Sequence, residues 1–207
     1  MQKETFIKQY AAGLNPQQLA AVQAVHGPVL LLAVPGSGKT TVLVTRLGYM
    51  VLCCDVPPAQ ILTMTYTVAA THEMRGRFAA RFGAELAGQM TFRTINGLSA
   101  VILQYYSRVY GRRQPELLTN EGDITRMLTD IWQQVNREFP TESTLKELRT
   151  AITYIKNMAL TDEEIEGLET DLASLPELYR RYQDALKRAG QMDYVAQMVF
   201  ALQSLRA

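Results

Sequence analysis

The residues best suited to chemistry lie between Val29 and Thr41, in the segment VLLLAVPGSGKTT. The apolar run Val29–Leu32 has the length and composition of a buried parallel strand. A glycine-rich turn follows, and Lys39 and Thr40 then open a helical pattern. The backbone N–H groups of such a turn and the dipole of the following helix attract phosphate oxygens. The segment therefore predicts a polyphosphate-binding loop.

The predicted loop resembles the pattern G-x-x-x-x-G-K-[ST], with Ala33 in place of the first glycine, and alanine is small enough for the same turn. In that pattern Lys39 reaches the β- and γ-phosphates and the hydroxyl of Thr40 binds Mg²⁺, so these two are the predicted catalytic residues. A nucleotide and Mg²⁺ are the predicted ligands of this loop. The nucleotide-binding positions are Ala33, Val34, Pro35, Gly36, Ser37, Gly38, Lys39, Thr40 and Thr41.

The length of 207 residues is that of one or two domains. The hydrophobic content of 47% is that of a globular protein. Its 21 basic and 20 acidic side chains give a net charge of +1, so any DNA-binding surface has to be a local patch. We find no secretory signal and no apolar run long enough for a membrane span, and the adjacent Cys53 and Cys54 indicate a reducing compartment. The predicted location is the cytoplasm.

A helix is predicted to begin at Asn15, because asparagine is a good N-cap and Pro16 suits the first helical position. The helix should continue to about His26. Gln18 then has two interpretations. At the third helical position it can complete a capping box with Asn15, which the helical pattern alone favours, or it can bind a ligand.

Strands and helices alternate after the loop, which predicts an α/β fold with a parallel sheet. The predicted helices are 41–54, 68–82 and 95–106, and the predicted strands are 61–66 and 90–92. Ligands of such sheets bind at the carboxyl ends of the strands. We therefore expect the segments 33–40, 65–67 and 93–96 to share one face.

The chain becomes all-helical from about Gly111, with apolar positions at helical spacing that run from Ile124 to Phe139 on one predicted face. A capping box joins Thr161 to Glu164, and Asp193 is a predicted N-cap of the last helix. The expected organisation is a domain at 1–110, a helical subdomain at 111–190 and a returning helix at 191–207. Residues 1–13 are weakly patterned and are expected to form a loose arm.

Together these segments resemble the N-terminal part of the UvrD/Rep-like superfamily 1 DNA helicases. The blocks that carry the resemblance are L-N-P-Q-Q at 14–18, the phosphate loop with its alanine, T-Y-T-V-A-A-T-H-E-M at 65–74, T-F-R-T at 91–94 and M-D-Y at 192–194. The resemblance covers nearly the whole chain, and the order and spacing of the blocks are more specific than any single block.

The resemblance implies a RecA-like P-loop NTPase sheet with an inserted all-helical subdomain, within a 3′–5′ ATP-dependent DNA helicase that acts in repair or replication. It implies that Gln18 contacts the adenine of ATP. It also implies that Tyr66 stacks on a base of single-stranded DNA or 3′-tailed duplex DNA, although a buried strand-end tyrosine is the alternative. Thr67, Arg93 and Thr94 would contact the same DNA strand.

Two departures from the family pattern concern DNA. Val68 and Ala69 replace an Asn-Lys pair, which removes one positive charge, and Arg93 replaces a histidine. The acidic block that binds Mg²⁺ and orients water in this family is not found; the only candidate, 162–164, follows no strand-like run. We expect an N-terminal fragment that lacks this acidic strand and the second RecA-like domain with its arginine finger, and that is a poor catalyst alone. A helicase-like subunit of a helicase–nuclease and a stand-alone, non-catalytic nucleotide-binding module are the alternatives.

Overall fold

The computed structural model describes residues 1–172 and 174–206. Their contacts divide the chain into two compact units, one of Met1–Ile95 and one that begins at Asn96. Both units are mostly helical, and each contains one small parallel sheet of two strands. None of the described helices is both long enough and apolar enough to cross a membrane.

The first unit contains five helices and two strands in the order α1 to α3, β1, α4, α5 and β2. A π-helical turn at Ile7–Ala11 follows α1, and a 3₁₀ turn at Pro58–Gln60 precedes β1. The bounds are α1 Lys3–Phe6, α2 Pro16–Gln23, α3 Lys39–Cys53, β1 Leu62–Thr65, α4 Val68–Phe82, α5 Ala84–Gln89 and β2 Thr91–Thr94.

Strands β1 and β2 are parallel, and their register pairs Leu62 with Thr91 and Thr65 with Thr94. The sheet is buried on one face, where Phe92 joins a core with Met74 and Phe78 of α4. The other face leaves Leu62 and Met64 exposed. The parallel arrangement that the alternating pattern predicted is therefore confirmed for these two strands.

The first 13 residues are not the loose arm that their weak pattern predicted. They form α1 and the π-helical turn, and Phe6 is fully buried in a core with Val22, Val42 and Tyr49. The apolar and aromatic side chains of this stretch show no clear helical periodicity, so the sequence pattern did not indicate that Phe6 is buried. The next helix, α2, ends at Gln23, three residues before the predicted end.

The prediction of a buried strand at Val29–Leu32 is wrong for the described structure. The segment is not part of a sheet, and the side chains of Leu30 and Leu32 are each 83% exposed. A strand is stabilised by hydrogen bonds to a neighbouring strand, and in the described residues β1 and β2 pair only with each other. The apolar composition was correctly recognised, but no partner strand covers it.

The second unit consists of helices with a two-residue strand pair. Its elements are α6 Ile95–Tyr110, which begins at the last residue of the first unit, β3 Glu116–Leu117, α7 Glu121–Asn136, α8 Glu142–Met158, α9 Asp162–Glu166, α10 Leu175–Ala189, β4 Gln191–Met192 and α11 Tyr194–Arg206. Strands β3 and β4 are parallel and were not predicted, because two residues carry no readable alternation.

The core of the second unit is formed by α7 to α10 and includes the buried residues Leu128, Trp132, Leu148 and Leu178. The predicted apolar faces are confirmed with one exception. Phe139 lies beyond the end of α7 and is 79% exposed, because Arg137 takes a left-handed conformation and ends the helix. Phe139 therefore lies beyond the helix and does not belong to its apolar face.

A buried polar cluster joins three helices of this unit. Lys156 of α8 forms an ion pair with Asp193, whose Oδ2 also accepts a 3.0 Å hydrogen bond from the hydroxyl of Tyr182. The Lys156 ammonium lies 5.0 Å from the centre of the Tyr182 ring. Asp193 Oδ1 accepts a 2.8 Å bond from the Ala196 amide, which confirms Asp193 as the N-cap of α11. Burial lowers the pKa of Lys156, with Asp193 opposing the shift, and burial raises the pKa of Tyr182.

Candidate nucleotide and nucleic-acid site

The predicted phosphate loop is an exposed turn that leads directly into the 15-residue helix α3. Gly36 and Gly38 have φ angles of +79° and +81°, in the left-handed region that glycine adopts without strain. The amide of Ser37 donates to the carbonyl of Val34 over 3.2 Å, which closes the turn. Gly38 is the N-cap of α3, so the unpaired amides at the start of a long helix face the loop.

Lys39 is held across this turn by the loop itself. Its Nζ donates to the carbonyl oxygen of Val34 over 2.9 Å and to that of Ala33 over 3.5 Å. The ammonium group therefore lies beside the backbone that a phosphate would approach. A positive charge, left-handed glycines and a helix N-terminus in one turn are the groups that bind a polyphosphate anion.

Gln18 performs two tasks at once. Its Oε1 accepts from the amide of Asn15 over 3.0 Å, and Asn15 Oδ1 accepts from the amide of Gln18 over 2.8 Å, so the predicted capping box is confirmed. Its Nε2 donates to the carbonyl of Ser37 over 3.0 Å. Gln18, which lies 19 positions before Ser37, thus connects the start of α2 to the phosphate loop.

Helix α3 is fixed behind the loop by two further contacts. Arg46 Nη1 donates to the carbonyl of Ala21 over 2.8 Å and joins α3 to α2. A β-carbon at Gly48 would overlap the ring of Phe82, so glycine lets α3 approach α4 closely. Neither role of Arg46 and Gly48 was predicted from the sequence. Each looks like an ordinary residue of a buried helix until its neighbours are known.

The loop and the first turn of α3 fit Mg-ATP in the chemistry of their donors. The residues that would hold the phosphates are those of the loop, and Thr40, half-buried in the first turn of α3, would offer its hydroxyl to the metal. Within the described residues no group of three or more His, Cys, Asp and Glu side chains is arranged to bind a metal ion by itself.

The predicted DNA-contacting residues lie at the carboxyl ends of β1 and β2. Because Thr65 pairs with Thr94, the segments that follow the two strands leave the same edge of the sheet. Tyr66, directly after β1, is 91% exposed, so the alternative of a buried strand-end tyrosine is wrong. Arg93 is also exposed. A free aromatic face and a cation on neighbouring strands suit a base and a phosphate.

Thr67 is the N-cap of α4, and its Oγ1 accepts from the amide of Ala70 over 3.1 Å. The turn around it is held by the side chains of Thr65 and Thr71, whose hydrogen bonds were not predicted from the sequence. Thr65 Oγ1 and Thr71 Oγ1 lie 2.5 Å apart, and each is 3.0 Å from the carbonyl oxygen of Thr67. The spacing T-x-T-x-x-x-T is the signal that could have identified them. These bonds fix the strand-to-helix turn from which Tyr66 projects.

The family of this chain follows from its similarity to known proteins. The family model described as the UvrD/REP helicase N-terminal domain matches residues 14–207. The chain belongs to this family. The residues that match the UvrD/REP family model include the capping box, the phosphate loop and the ends of β1 and β2.

Individual relatives agree with the family assignment. The chain is 31% identical over 192 residues to "ATP-dependent DNA helicase UvrD1" of Mycobacterium leprae, which covers 88% of this chain and 24% of that protein. It is 29% identical over 188 residues to "ATP-dependent DNA helicase PcrA" of Leuconostoc citreum, with the same coverage. "ATP-dependent DNA helicase Rep" of Buchnera aphidicola is 27% identical over 186 residues. The chain spans about a quarter of the length of these curated relatives.

Proposed function

We propose that this chain is the ATP- and single-stranded-DNA-binding N-terminal part of a 3′–5′ DNA helicase that acts in repair or replication. The observation that carries the proposal is the loop at 33–40, where Lys39 lies across two left-handed glycines at the start of α3. The family assignment and the helicase names of the relatives supply the reaction class. Mg²⁺ bound at Thr40 and a contact between Gln18 and adenine belong to the same proposal.

The proposed DNA path crosses the shared edge of β1 and β2. Tyr66 stacks on a base, while Thr67, Arg93 and Thr94 contact phosphates of the same strand. The support is the exposure of Tyr66 and Arg93, and the parallel register that brings the ends of the two strands together. Single-stranded DNA or a 3′-tailed duplex is the proposed substrate, and the cytoplasm is the proposed location.

The proposed complete fold is a RecA-like sheet in which Val29–Leu32 becomes a central strand. Its support is the exposed apolar character of this run, which water does not favour but a strand on either side would bury. In this proposal residues 1–110 form the ATP-binding domain, 111–190 the helical insertion and 191–207 the return to the first domain. Hydrolysis with stepping along DNA is assigned to the whole helicase and not to these 207 residues alone.

Replacement of Lys39 tests the nucleotide half of the proposal. Lys39→Ala should weaken Mg-ATP binding by about 10- to 150-fold, the worth of a hydrogen bond to a charged group. Isothermal titration calorimetry with Mg-ATP measures the difference. Lys146→Ala, at an exposed lysine of α8, is the matched control and should bind as the wild type does. Superimposable titrations of the wild type and Lys39→Ala would contradict the nucleotide site.

Replacement of Tyr66 tests the DNA half. Tyr66→Ala should weaken binding of a single-stranded oligonucleotide by about 1–3 kcal/mol, as expected for one lost base–aromatic stack. Fluorescence anisotropy of a labelled strand gives the affinity. The side chain is almost fully exposed, so the circular dichroism spectrum and thermal unfolding should not change. Unchanged DNA affinity in a folded variant would remove Tyr66 from the DNA path.

A further inference from the structure

The end of α6 and the segment after it carry a concentration of tyrosine and arginine that the site described above does not use. We define the Tyr/Arg surface as Tyr105, Tyr106, Arg108, Tyr110, Arg112 and Arg113. Tyr105 and Tyr110 are 61% and 59% exposed, and the three arginines are exposed as well. Two large aromatic rings in water beside three positive charges are unusual on a chain whose net charge is +1.

Most of the rings and cations of this surface are in contact with one another. The centres of the Tyr106 and Tyr110 rings are 4.5 Å apart, Arg112 lies 6.0 Å from the centre of Tyr106, and Arg108 lies 5.6 Å from the centre of Tyr105. Among the described residues, no ion pair neutralises Arg108, Arg112 or Arg113. The guanidinium groups of Arg108 and Arg112 therefore lie against aromatic rings and keep their hydrogen-bonding capacity for an anion.

A cavity of about 430 Å³ opens beside this surface, between α6 and α11 of the second unit. Its volume lies within the range of about 300–1,000 Å³ that small-ligand sites occupy. Tyr106 and Phe200 supply aromatic walls, Arg112 and Arg113 supply charge, and Gln114 and Gln203 supply amides. None of the described residues that line this cavity is acidic. An aromatic wall, an amide and an arginine pair match a base and its phosphate.

We propose that the Tyr/Arg surface and its cavity, both within the second unit, bind nucleotide units of single-stranded nucleic acid. The exposed tyrosines stack on bases, and Arg112 and Arg113 bind the phosphates. The same chemistry would accept a free mononucleotide. This inference needs only that the chain binds nucleic acid, and it does not depend on helicase activity.

Photocrosslinking identifies the site directly. A single-stranded oligonucleotide that contains 5-iododeoxyuridine is bound to the full chain and irradiated, and the trypsin peptides are mapped by mass spectrometry. Cleavage after Arg93, Arg108 and Arg112 separates peptides 94–108 and 109–112, whereas Tyr66 lies in peptide 47–75. Fragment ions locate each adduct within its peptide, because 94–108 also contains Thr94 of the strand-end site. Adducts at Tyr105 or Tyr106 of 94–108, or on 109–112, are expected, and adducts confined to Thr94 would count against the inference. Adducts confined to 47–75 would overturn this inference and leave the proposed function intact.

Paired substitutions give the quantitative test. Tyr110→Ala should weaken oligonucleotide binding about tenfold, and Tyr154→Ala, at another exposed tyrosine of the same unit, should not. The double variant Arg112→Gln/Arg113→Gln should lower the slope of log affinity against log salt by about 1.4, since each phosphate contact to a single strand contributes about 0.7. Arg126→Gln/Arg180→Gln, two exposed arginines of the same unit, is the control. Equal slopes for the two double variants would overturn the proposal.

A competition experiment separates the two sources of a nucleotide. Thymidine monophosphate and a short thymidine oligonucleotide are each added against the labelled strand in the Tyr66→Ala background. Displacement by the oligonucleotide alone supports a strand-binding surface, and displacement by both at similar concentrations supports a mononucleotide pocket. If the Tyr66→Ala protein binds no labelled strand at all, the second site is absent and the inference fails.

Discussion

The four-helix core of the second unit and the β1–β2 sheet of the first unit differ in how completely their apolar side chains are buried. In the second unit α7 to α10 surround a single core, and even its charged cluster of Lys156, Asp193 and Tyr182 is enclosed and hydrogen-bonded. In the first unit one face of the β1–β2 sheet is covered, while Leu62 and Met64 on the other face and the run Val29–Leu32 are exposed. The four-helix core is enclosed, whereas the β1–β2 sheet is covered on one face only.

The difference follows from where each element finds its hydrogen-bond partners. A helix satisfies its backbone within its own sequence, so four helices need only pack their apolar stripes together. A parallel strand needs neighbours from distant parts of the chain on both sides, and both of its faces must be covered. A segment of strand-like composition therefore remains exposed where no strand pairs with it. A helix forms its backbone hydrogen bonds without such a partner.

The largest predicted effect comes from breaking the enclosed charge cluster. Asp193→Asn leaves the Lys156 ammonium buried without a counter-charge and should lower the free energy of unfolding by about 3–5 kcal/mol. Asparagine retains an oxygen for the Ala196 amide, so the N-cap of α11 is preserved. Urea denaturation followed by the fluorescence of Trp132, the only tryptophan and a member of this core, measures the change. A loss below about 1 kcal/mol would show that the pair is solvated in the folded chain.

A cavity in the helical core should cost nearly as much. Leu148 is fully buried, and Leu148→Ala should lower the free energy of unfolding by about 2–5 kcal/mol through lost burial and the space left behind. The same Trp132 fluorescence reports it. A value near zero would mean that the four helices do not pack as one cooperative core.

The pH dependence of stability should reveal the buried tyrosine. The pKa of Tyr182 is higher in the folded chain than its ordinary value of 10.0, so above about pH 10 the unfolded chain loses this proton first and stability falls. Lys156 acts in the opposite direction, because its folded pKa is below 10.5 and stability gains as pH rises toward that value.

Replacement of Tyr182 isolates its own contribution. Tyr182→Phe should flatten the alkaline loss by about 1 kcal/mol per pH unit, measured by urea denaturation at a series of alkaline pH values. The loss of the hydrogen bond to Asp193 lowers the free energy of unfolding by a constant amount at every pH. The slope of this free energy against pH therefore still reports the titration of Tyr182. Tyr154→Phe, at an exposed position, should keep the wild-type profile. An unchanged slope in Tyr182→Phe would contradict burial of the hydroxyl.

The smallest effect is expected in the open part of the first unit. Leu30→Ala removes as many carbon atoms as Leu148→Ala but at an exposed position, and it should change the free energy of unfolding by less than about 0.5 kcal/mol. Thermal unfolding followed by circular dichroism is the measurement. A loss comparable with that of Leu148→Ala would show that the run Val29–Leu32 is buried in solution and would break the comparison between the units.

Much of the local structure could be predicted because its causes are local. The helix 68–82 has the predicted bounds, and the capping boxes at Asn15 and Thr161 formed as expected. The glycine-rich turn before α3 was likewise readable. Failures occurred where a distant residue decides the outcome. Phe6 is ordered by side chains of α2 and α3, and Gln18 both caps its helix and contacts the loop, a combination that periodicity treats as alternatives.

The sequence by itself determined the longer helices, the strand pair β1 and β2, the glycine-rich turn before α3 and the resemblance to one helicase family, because each depends on residues close together along the chain. Only the tertiary structure decided that Tyr66 is exposed, that Lys156 and Asp193 form a buried pair, and that Tyr106 and Arg112 line a cavity with Phe200. Burial and electrostatic pairing depend on which residues meet in space. Those partners are between 37 and about 100 positions apart, a separation that no local pattern encodes.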